Sequence, residues 1–174
     1  MLIRKCTMED LSAVARMYDR AVLRLTERVN YPKWEYGVYP SMQSVKRAIG
    51  QGVQYLCEEE GNVLGAFVFN KDPQGAYEKG KWSKERRRGE YLVIHTLATD
   101  PESQGRGVGQ AMVEFCIRQA KQQGCKALRI DVVPDNVPAI GLYERMGFRF
   151  AGIADLERNI PEIPVFALYE KEIE

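Results

Sequence analysis

The sequence predicts a mixed α/β domain built on one central sheet, and three observations predict it. Seven short stretches carry β-rich apolar runs or two-residue alternation. Four longer stretches repeat apolar residues at helical spacing. Their order is βααββ, a long polar loop, then βαβαββ, which differs from a repeating βαβ array and implies a mixed rather than a parallel sheet. A length of 174 residues fits one domain over 1–174, large enough to bury roughly 70% of its unfolded surface.

In chain order, Leu2-Ile3-Arg4-Lys5-Cys6 alternates as a first strand. Thr7 followed by Asp10 has the form of a helix cap with an acid at its third position. Leu11, Val14, Ala15, Tyr18, Val22 and Leu25 then give a helix one core face, running to about Arg28. Tyr31–Pro40 (YPKWEYGVYP) sets four aromatics among prolines and a glycine, which excludes a long regular element. Its rings serve either as cover for the core or as one wall of a substrate pocket, with Tyr31, Trp34 and Tyr36 as candidates. Ser41 caps a second helix that ends at Gly50.

Val53–Glu58 and Val63–Phe69 form a hairpin around Glu59-Glu60-Gly61-Asn62. Asn70–Glu90 is a polar insertion whose basic run is interleaved with glutamates, the pattern of a solvated surface. Trp82 keeps a substrate contact open there, since long loops in small domains are often functional or mobile. Tyr91–Ala98 is a fourth strand, and a helix with Val108, Met112, Phe115, Cys116 and Ala120 on its apolar side stops at Gly124. Ala127–Val133 is a fifth strand. Asn136 caps a fourth helix, Ala139–Met146, with Pro138 suited to its first turn. Phe148–Gly152 and Val165–Glu170 complete the sheet.

The totals exclude several classes. A net charge of +1 gives no global field for nucleic acid or an acidic membrane. No apolar run reaches the length of a membrane span, and the amino-terminal residues carry no signal core. Cys6, Cys57, Cys116 and Cys125 form no CxxC pair and sit inside apolar patterns, which reads as reduced core thiols of a cytoplasmic protein without a metal site.

Between the fourth strand and the third helix lies Gln104-Gly105-Arg106-Gly107-Val108-Gly109. Glycines let backbone N–H groups approach an anion, and a helix start adds about half a positive charge. A Walker loop is excluded because Gly109 is followed by Gln110 and Ala111. A dinucleotide loop needs a different last spacing and a place near the chain start. A plain structural turn is the remaining reading of the glycines alone.

The spacing Gln104-x-x-Gly107-x-Gly109 resembles the acyl-CoA signature of the GCN5-related N-acetyltransferase (GNAT) superfamily. Asn136, Ala139 and Leu142-Tyr143-Glu144-Arg145-Met146-Gly147-Phe148 resemble its second segment, at the expected separation. The resemblance implies a mostly antiparallel seven-stranded sheet splayed between its fourth and fifth strands and flanked by about four helices. It also implies acetyl-CoA as co-substrate, with no metal. Backbone N–H groups of Gly105, Arg106, Gly107, Val108, Gly109 and Gln110 would hold the pyrophosphate, with Gln104 also in the cofactor site. Leu97 and Ala98, beside a strand bulge, would pair with pantetheine amides, with Thr99 also in the cofactor site, and an N–H near Leu97 would meet the thioester oxygen. Asn136, Ala139 and Tyr143 would line the pantetheine arm, and Tyr143 would be the acid that protonates the departing thiolate.

The histone-acetylating branch carries a glutamate eleven residues before the first motif residue, where this chain has Val93. The arylalkylamine N-acetyltransferase branch has a histidine nine residues before, which corresponds to His95, the only histidine here. Two-residue alternation puts Val93, His95 and Leu97 on one strand face, so His95 is the candidate base, acting through water. A second histidine usual in that branch is replaced by Val93. The implied reaction is direct attack of a small-molecule or amino-acid-like primary amine on acetyl-CoA in a ternary complex. A protein amino terminus or lysine as acceptor, and a CoA-binding regulatory domain without turnover, are the alternatives. A second copy of the chain is left open as a partner.

Overall fold

The computed structural model describes residues 1–174. Seven strands hydrogen-bond in the order β1-β2-β3-β4-β5-β7-β6, with β1 at Leu2–Lys5, β2 at Gln54–Glu59, β3 at Asn62–Asn70, β4 at Tyr91–Thr99, β5 at Ala127–Val132, β6 at Arg149–Ala154 and β7 at Phe166–Glu172. Four helices accompany them: α1 (Leu11–Glu27), α2 (Met42–Gly50), α3 (Val108–Gln122) and α4 (Val137–Arg145). β4 and β5 pair in parallel, over Tyr91–Val93 against Ala127–Arg129. The expected mixed sheet with four helices is therefore the observed fold. Contacts within the chain gather into two compact units, and the dividing line crosses both β4 and α3.

The first unit comprises Met1–Asn30, Trp34–Phe69 and His95–Met112. The α1 face foreseen from its spacing is buried at Val14, Tyr18 and Val22, with Ala15, Met17 and Ala21 beside them. It packs with Val45 and Ile49 of α2, Leu56 of β2, Ala66 of β3 and Ala98 of β4. Ser41 and Ser44 cap α2 reciprocally, each side-chain oxygen accepting from the other's backbone N–H at 3.2 and 2.8 Å. Gly65 marks a close approach, because a Cβ there would come within 2.9 Å of both the Ala98 carbonyl and the Met112 methyl. A larger residue would push β3 away from the segment that leads into the glycine loop.

At the start of this unit Arg4 donates to both Asp10 oxygens (2.8 and 2.9 Å) and to Glu58 (2.7 Å). Asp10 also accepts from the Thr7 N–H at 2.7 Å, which realises the expected cap. The Arg4 hydrogen bond, followed by that of Thr7, lowers the Asp10 carboxyl from 3.8 to about 2. A depressed folded-state value contributes stability that is present above the unfolded value and lost as pH falls through the folded one. Denaturant melts should therefore show stability draining away between pH 4 and 2, and Asp10→Asn should flatten that part of the curve.

The second unit comprises Tyr31–Lys33, Asn70–Ile94 and Val113–Glu174. Its core joins Tyr91 and Val93 of β4, Ala127 of β5, Ala151 and Ala154 of β6, and Phe166 and Leu168 of β7, with Tyr77 and Leu156 from the connections. Here the insertion 71–90 departs from the solvated-surface reading. Tyr77 is buried and its hydroxyl donates to Asp131. The Lys81 N–H donates to the Ala151 carbonyl at 2.7 Å, and the Ala76 N–H to Leu156 at 3.0 Å. Arg158 closes the arrangement, donating to both Asp131 oxygens (2.6 and 2.7 Å) and to the Pro73 and Gln74 carbonyls. Most charges of the basic run face solvent while the segment's aromatics are drawn into the core, as burial of apolar area favours.

All four cysteines are free and buried, as expected of core thiols. Burial pushes Cys6 up to about 12 and raises Cys57, Cys116 and Cys125, so none is a ready thiolate nucleophile. No helix is long and apolar enough to cross a membrane.

Candidate active site

Within the first unit, β4 is bent at Thr96, whose φ is +50°. A β-branched residue in the left-handed region costs about 1–3 kcal/mol and needs surroundings that impose it. They are present: the Thr96 carbonyl accepts from the Tyr18 hydroxyl at 2.8 Å, and its side-chain oxygen is bonded to the Tyr39 hydroxyl. Gln54, itself buried, donates to the Tyr18 oxygen (3.4 Å) and to the Phe67 carbonyl (3.0 Å). Trp34 stands edge-on to Tyr18 and Tyr39, with centroids 6.4 and 6.3 Å away. Its backbone is held by a pair of bonds to the Asn30 amide (3.1 and 2.7 Å).

The kink corrects one step of the sequence reading. Two-residue alternation would place Val93, His95 and Leu97 on one face, but the period does not run through a residue at φ +50°. His95 is buried just before the break, while Leu97 and Thr99 are half-buried and Ala98 is buried after it. The His95 assignment therefore has no support from alternation with Leu97.

Beyond β4, Asp100 is buried and accepts from the Glu102 N–H (3.0 Å) and from the Arg20 guanidinium (2.8 Å). The Asp100 N–H donates to the Leu64 carbonyl at 2.8 Å, tying the loop's entry to β3. A 3-10 turn, Pro101–Ser103, leads to Gln104. Gly105 and Gly107 have φ of +79° and +76°, and a Cβ at either would meet nothing within 4 Å. The turn therefore needs glycine for its conformation, and free space lies over both residues. Arg106 pairs with Glu59, and Val108 is buried at the first position of α3. The leading N–H groups of that helix, at Val108 and Gly109, have no carbonyl one turn behind them. This geometry fits a phosphate-bearing ligand.

In the second unit, Asn136 caps α4 by accepting from the Ala139 N–H at 3.3 Å, and both residues are half-buried. Tyr143 is buried, with its ring edge-to-face on Phe148 at 5.3 Å. Burial, with smaller contributions from Cys116 and Asp131, raises its hydroxyl well above the ordinary value of 10.0. The group therefore stays protonated at neutral pH.

The remaining candidates are scattered. Tyr31, half-buried, belongs to the second unit, whereas Tyr36 is exposed at the tip of a turn closed by a Glu35–Tyr39 bridge. Trp82 donates its N–H to the Tyr77 carbonyl and covers Arg129, at 4.1 Å from ring centre to guanidinium. Both of these contacts lie inside the second unit, and the ring is half-buried. Sequence reasoning passed over Tyr18 as a core residue and did not single out Tyr39. The available signal was a tyrosine, rather than a phenylalanine, on the buried face of α1, because a buried hydroxyl requires a partner.

The acetyltransferase (GNAT) family model matches residues 21–148, which include the glycine loop, β4 and α4. The chain belongs to this family. An uncharacterised N-acetyltransferase of Methanocaldococcus jannaschii is 27% identical over 146 residues, covering 84% of this chain and 59% of the relative. The chain thus spans about three fifths of that relative's length. Among solved structures, a GNAT-family acetyltransferase of Streptococcus agalactiae superposes with a TM-score of 0.80 at 19% identity, covering 99% of this chain and 95% of the other. The ribosomal-protein-S18-alanine N-acetyltransferase of Escherichia coli gives 0.69 at 18% identity, with 99% and 94% covered. A Salmonella typhimurium structure holding acetyl-CoA gives 0.68 at 18% identity, with 100% and 94% covered. At these identities the likeness is one of fold.

Proposed function

We propose that this GNAT-family chain transfers the acetyl group of acetyl-CoA to the primary amine of a small-molecule or amino-acid-like acceptor, by direct attack in a ternary complex. The observation that carries the reading is the open, glycine-conformed turn at Gly105–Gly107, set between a kinked β4 and the start of α3. In this reading backbone N–H groups of Gly105–Gln110 hold the pyrophosphate, while Leu97, Ala98, Thr99, Asn136 and Ala139 bind the pantetheine arm. The thioester supplies an acyl group already activated for attack. The Leu97 N–H donates to the carbonyl oxygen as negative charge develops there.

Two proton movements fall to side chains. An alkylamine is mostly ammonium at pH 7, and delivering it neutral costs about 4 kcal/mol. His95 takes that proton through water. Tyr143, kept protonated by burial, gives one to the departing thiolate. No cysteine is asked to carry the acyl group, in keeping with four buried, protonated thiols.

The resemblance of His95 to the histidine of the arylalkylamine branch supports a small amine as acceptor. A protein amino terminus is the second reading, favoured by the Escherichia coli fold neighbour, which acts on the alanine of a ribosomal protein. Thiol release from acetyl-CoA should be measured against a panel of arylalkylamines, polyamines, amino acids and short peptides. Turnover with the small amines is the expected result. Turnover with peptides only would select the second reading, and CoA binding without any acetylated product would leave a regulatory CoA-binding domain. With the best acceptor, His95→Ala should lower kcat about a hundredfold at neutral pH and recover partly as pH rises and free amine accumulates. An unchanged rate would remove His95 from the base role.

A further inference from the structure

Thr96 is held from two directions, and one of them acts on its backbone. The Tyr18 ring is buried, and a phenylalanine would fill the same space in the α1 face. The hydroxyl therefore does something that packing does not require. The Gln54 amide donates to it at 3.4 Å and occupies a lone pair, which leaves the hydroxyl proton for the Thr96 carbonyl at 2.8 Å. Burial also raises this phenol well above its ordinary value, so the donor is present at every working pH.

The Thr96 carbonyl and the Leu97 N–H belong to one peptide unit. That unit is planar and trans, so an anchor on the carbonyl fixes the N–H pointing the opposite way. A hydrogen bond accepted by the carbonyl also polarises the same unit and strengthens its N–H as a donor. Without the anchor, a threonine would relax towards the extended region that β-branched residues prefer.

We propose that the Tyr18 hydroxyl is a positioning group for acyl transfer: by donating to the Thr96 carbonyl it holds the left-handed kink of β4 and aims and polarises the Leu97 N–H at the reacting carbonyl oxygen. The proposal rests on the acetyltransfer reading above. It makes Tyr18, a residue of the first helix with no direct part in the chemistry, a determinant of kcat. It also explains why a strained threonine can occupy a place where glycine or asparagine would serve more cheaply.

The test uses Tyr18→Phe. Free CoA has no acyl oxygen, so its Kd by calorimetry should stay within twofold of wild type while kcat falls at least tenfold. The three-bond coupling and carbon shifts of Thr96, read by NMR in protein without substrate, should move off their left-handed values. Adding Thr96→Gly, which tolerates positive φ, should recover kcat at least threefold over Tyr18→Phe alone. A kcat within twofold of wild type, a parallel loss of CoA affinity, or an unchanged Thr96 conformation would each overturn the proposal. Should Tyr18→Phe not fold, Gln54→Leu removes the group that directs the hydroxyl and should lower kcat about threefold at unchanged CoA Kd; no change would count against the idea. A wild-type protein that acetylates nothing would overturn the enzyme reading, and the catalytic part of this proposal with it. The NMR arm would still decide whether Tyr18 holds the kink.

Discussion

Tyr143→Phe is expected to lower kcat about a hundredfold while leaving CoA affinity and thermal stability close to wild type. The ring remains to pack edge-on against Phe148, so the substitution removes a hydroxyl and little else. What is lost is the proton offered to the departing thiolate. That thiol is a moderate leaving group, with an ordinary pKa near 8.5, so protonating it matters but is not indispensable. A more acidic thiol should need the acid less, and the deficit of the variant should shrink when the acyl donor is a thioester of such a thiol. Burial already lifts the Tyr143 hydroxyl above 10.0, so its ionisation should leave no mark on the pH–rate profile in the ordinary working range. The profile of Tyr143→Phe should be lower than that of wild type but of the same shape. A variant that keeps its rate, or one that loses CoA binding in proportion, would show Tyr143 to be a packing residue of α4.

The glycine turn and the helix caps were readable because each depends on a local rule. Glycine at 105 and 107 answers to a positive φ, and Asn136 and Ser41 to the unsatisfied N–H groups of a helix start. The Thr96 kink was not readable at its own position. Threonine is a strand former, and the hydroxyls bonded to it, on Tyr18 and Tyr39, lie 78 and 57 residues away in sequence. For the same reason alternation misled at His95, since a period of two assumes an unbroken strand.

The insertion 71–90 shows the converse limit. Its basic run reads as solvent-facing, and most of those charges are exposed. Trp82 and Tyr77, interleaved with them, pack in a core supplied by β4, β5, β6 and β7. A charge pattern reports on the side chains that carry it and says little about where the backbone between them is anchored. One clue was present in β5: Arg129 and Asp131 interrupt an otherwise apolar run, and charged residues in such a place imply partners.

The partner of Arg129 gives the largest stability effect expected anywhere in the chain. Arg129 and Glu170 stand opposite each other on β5 and β7, both almost wholly buried, with Nε donating to Oε2 at 2.7 Å. Trp82 and Tyr91 lie over the guanidinium at 4.1 and 4.2 Å. The other Glu170 oxygen accepts from the Ser83 N–H (3.1 Å) and hydroxyl (2.6 Å), and Arg129 donates to the Lys84 carbonyl at 3.3 Å. Arg129→Ala would leave a carboxylate in the core without its cation, and the expected cost is about 3–5 kcal/mol, measured by denaturant unfolding. Against a typical total of about 5–15 kcal/mol, such a loss would leave a marginal fold. Arg129→Lys keeps the charge but loses the flat surface between the two rings and the aim of Nε, so it should not restore wild-type stability. Replacing both partners, as Arg129→Met with Glu170→Leu, removes the stranded charge and should recover most of the deficit, because the pair itself contributes little beyond a well-packed apolar substitute. The same variants separate global from local effects. If the pair anchors the insertion, Arg129→Ala should speed tryptic cleavage after Arg86–Arg88 even where the rest of the chain remains folded, since the Lys84 carbonyl and the Trp82 face both lose their hold. A cost below about 1 kcal/mol would place the pair with the surface ion pairs instead.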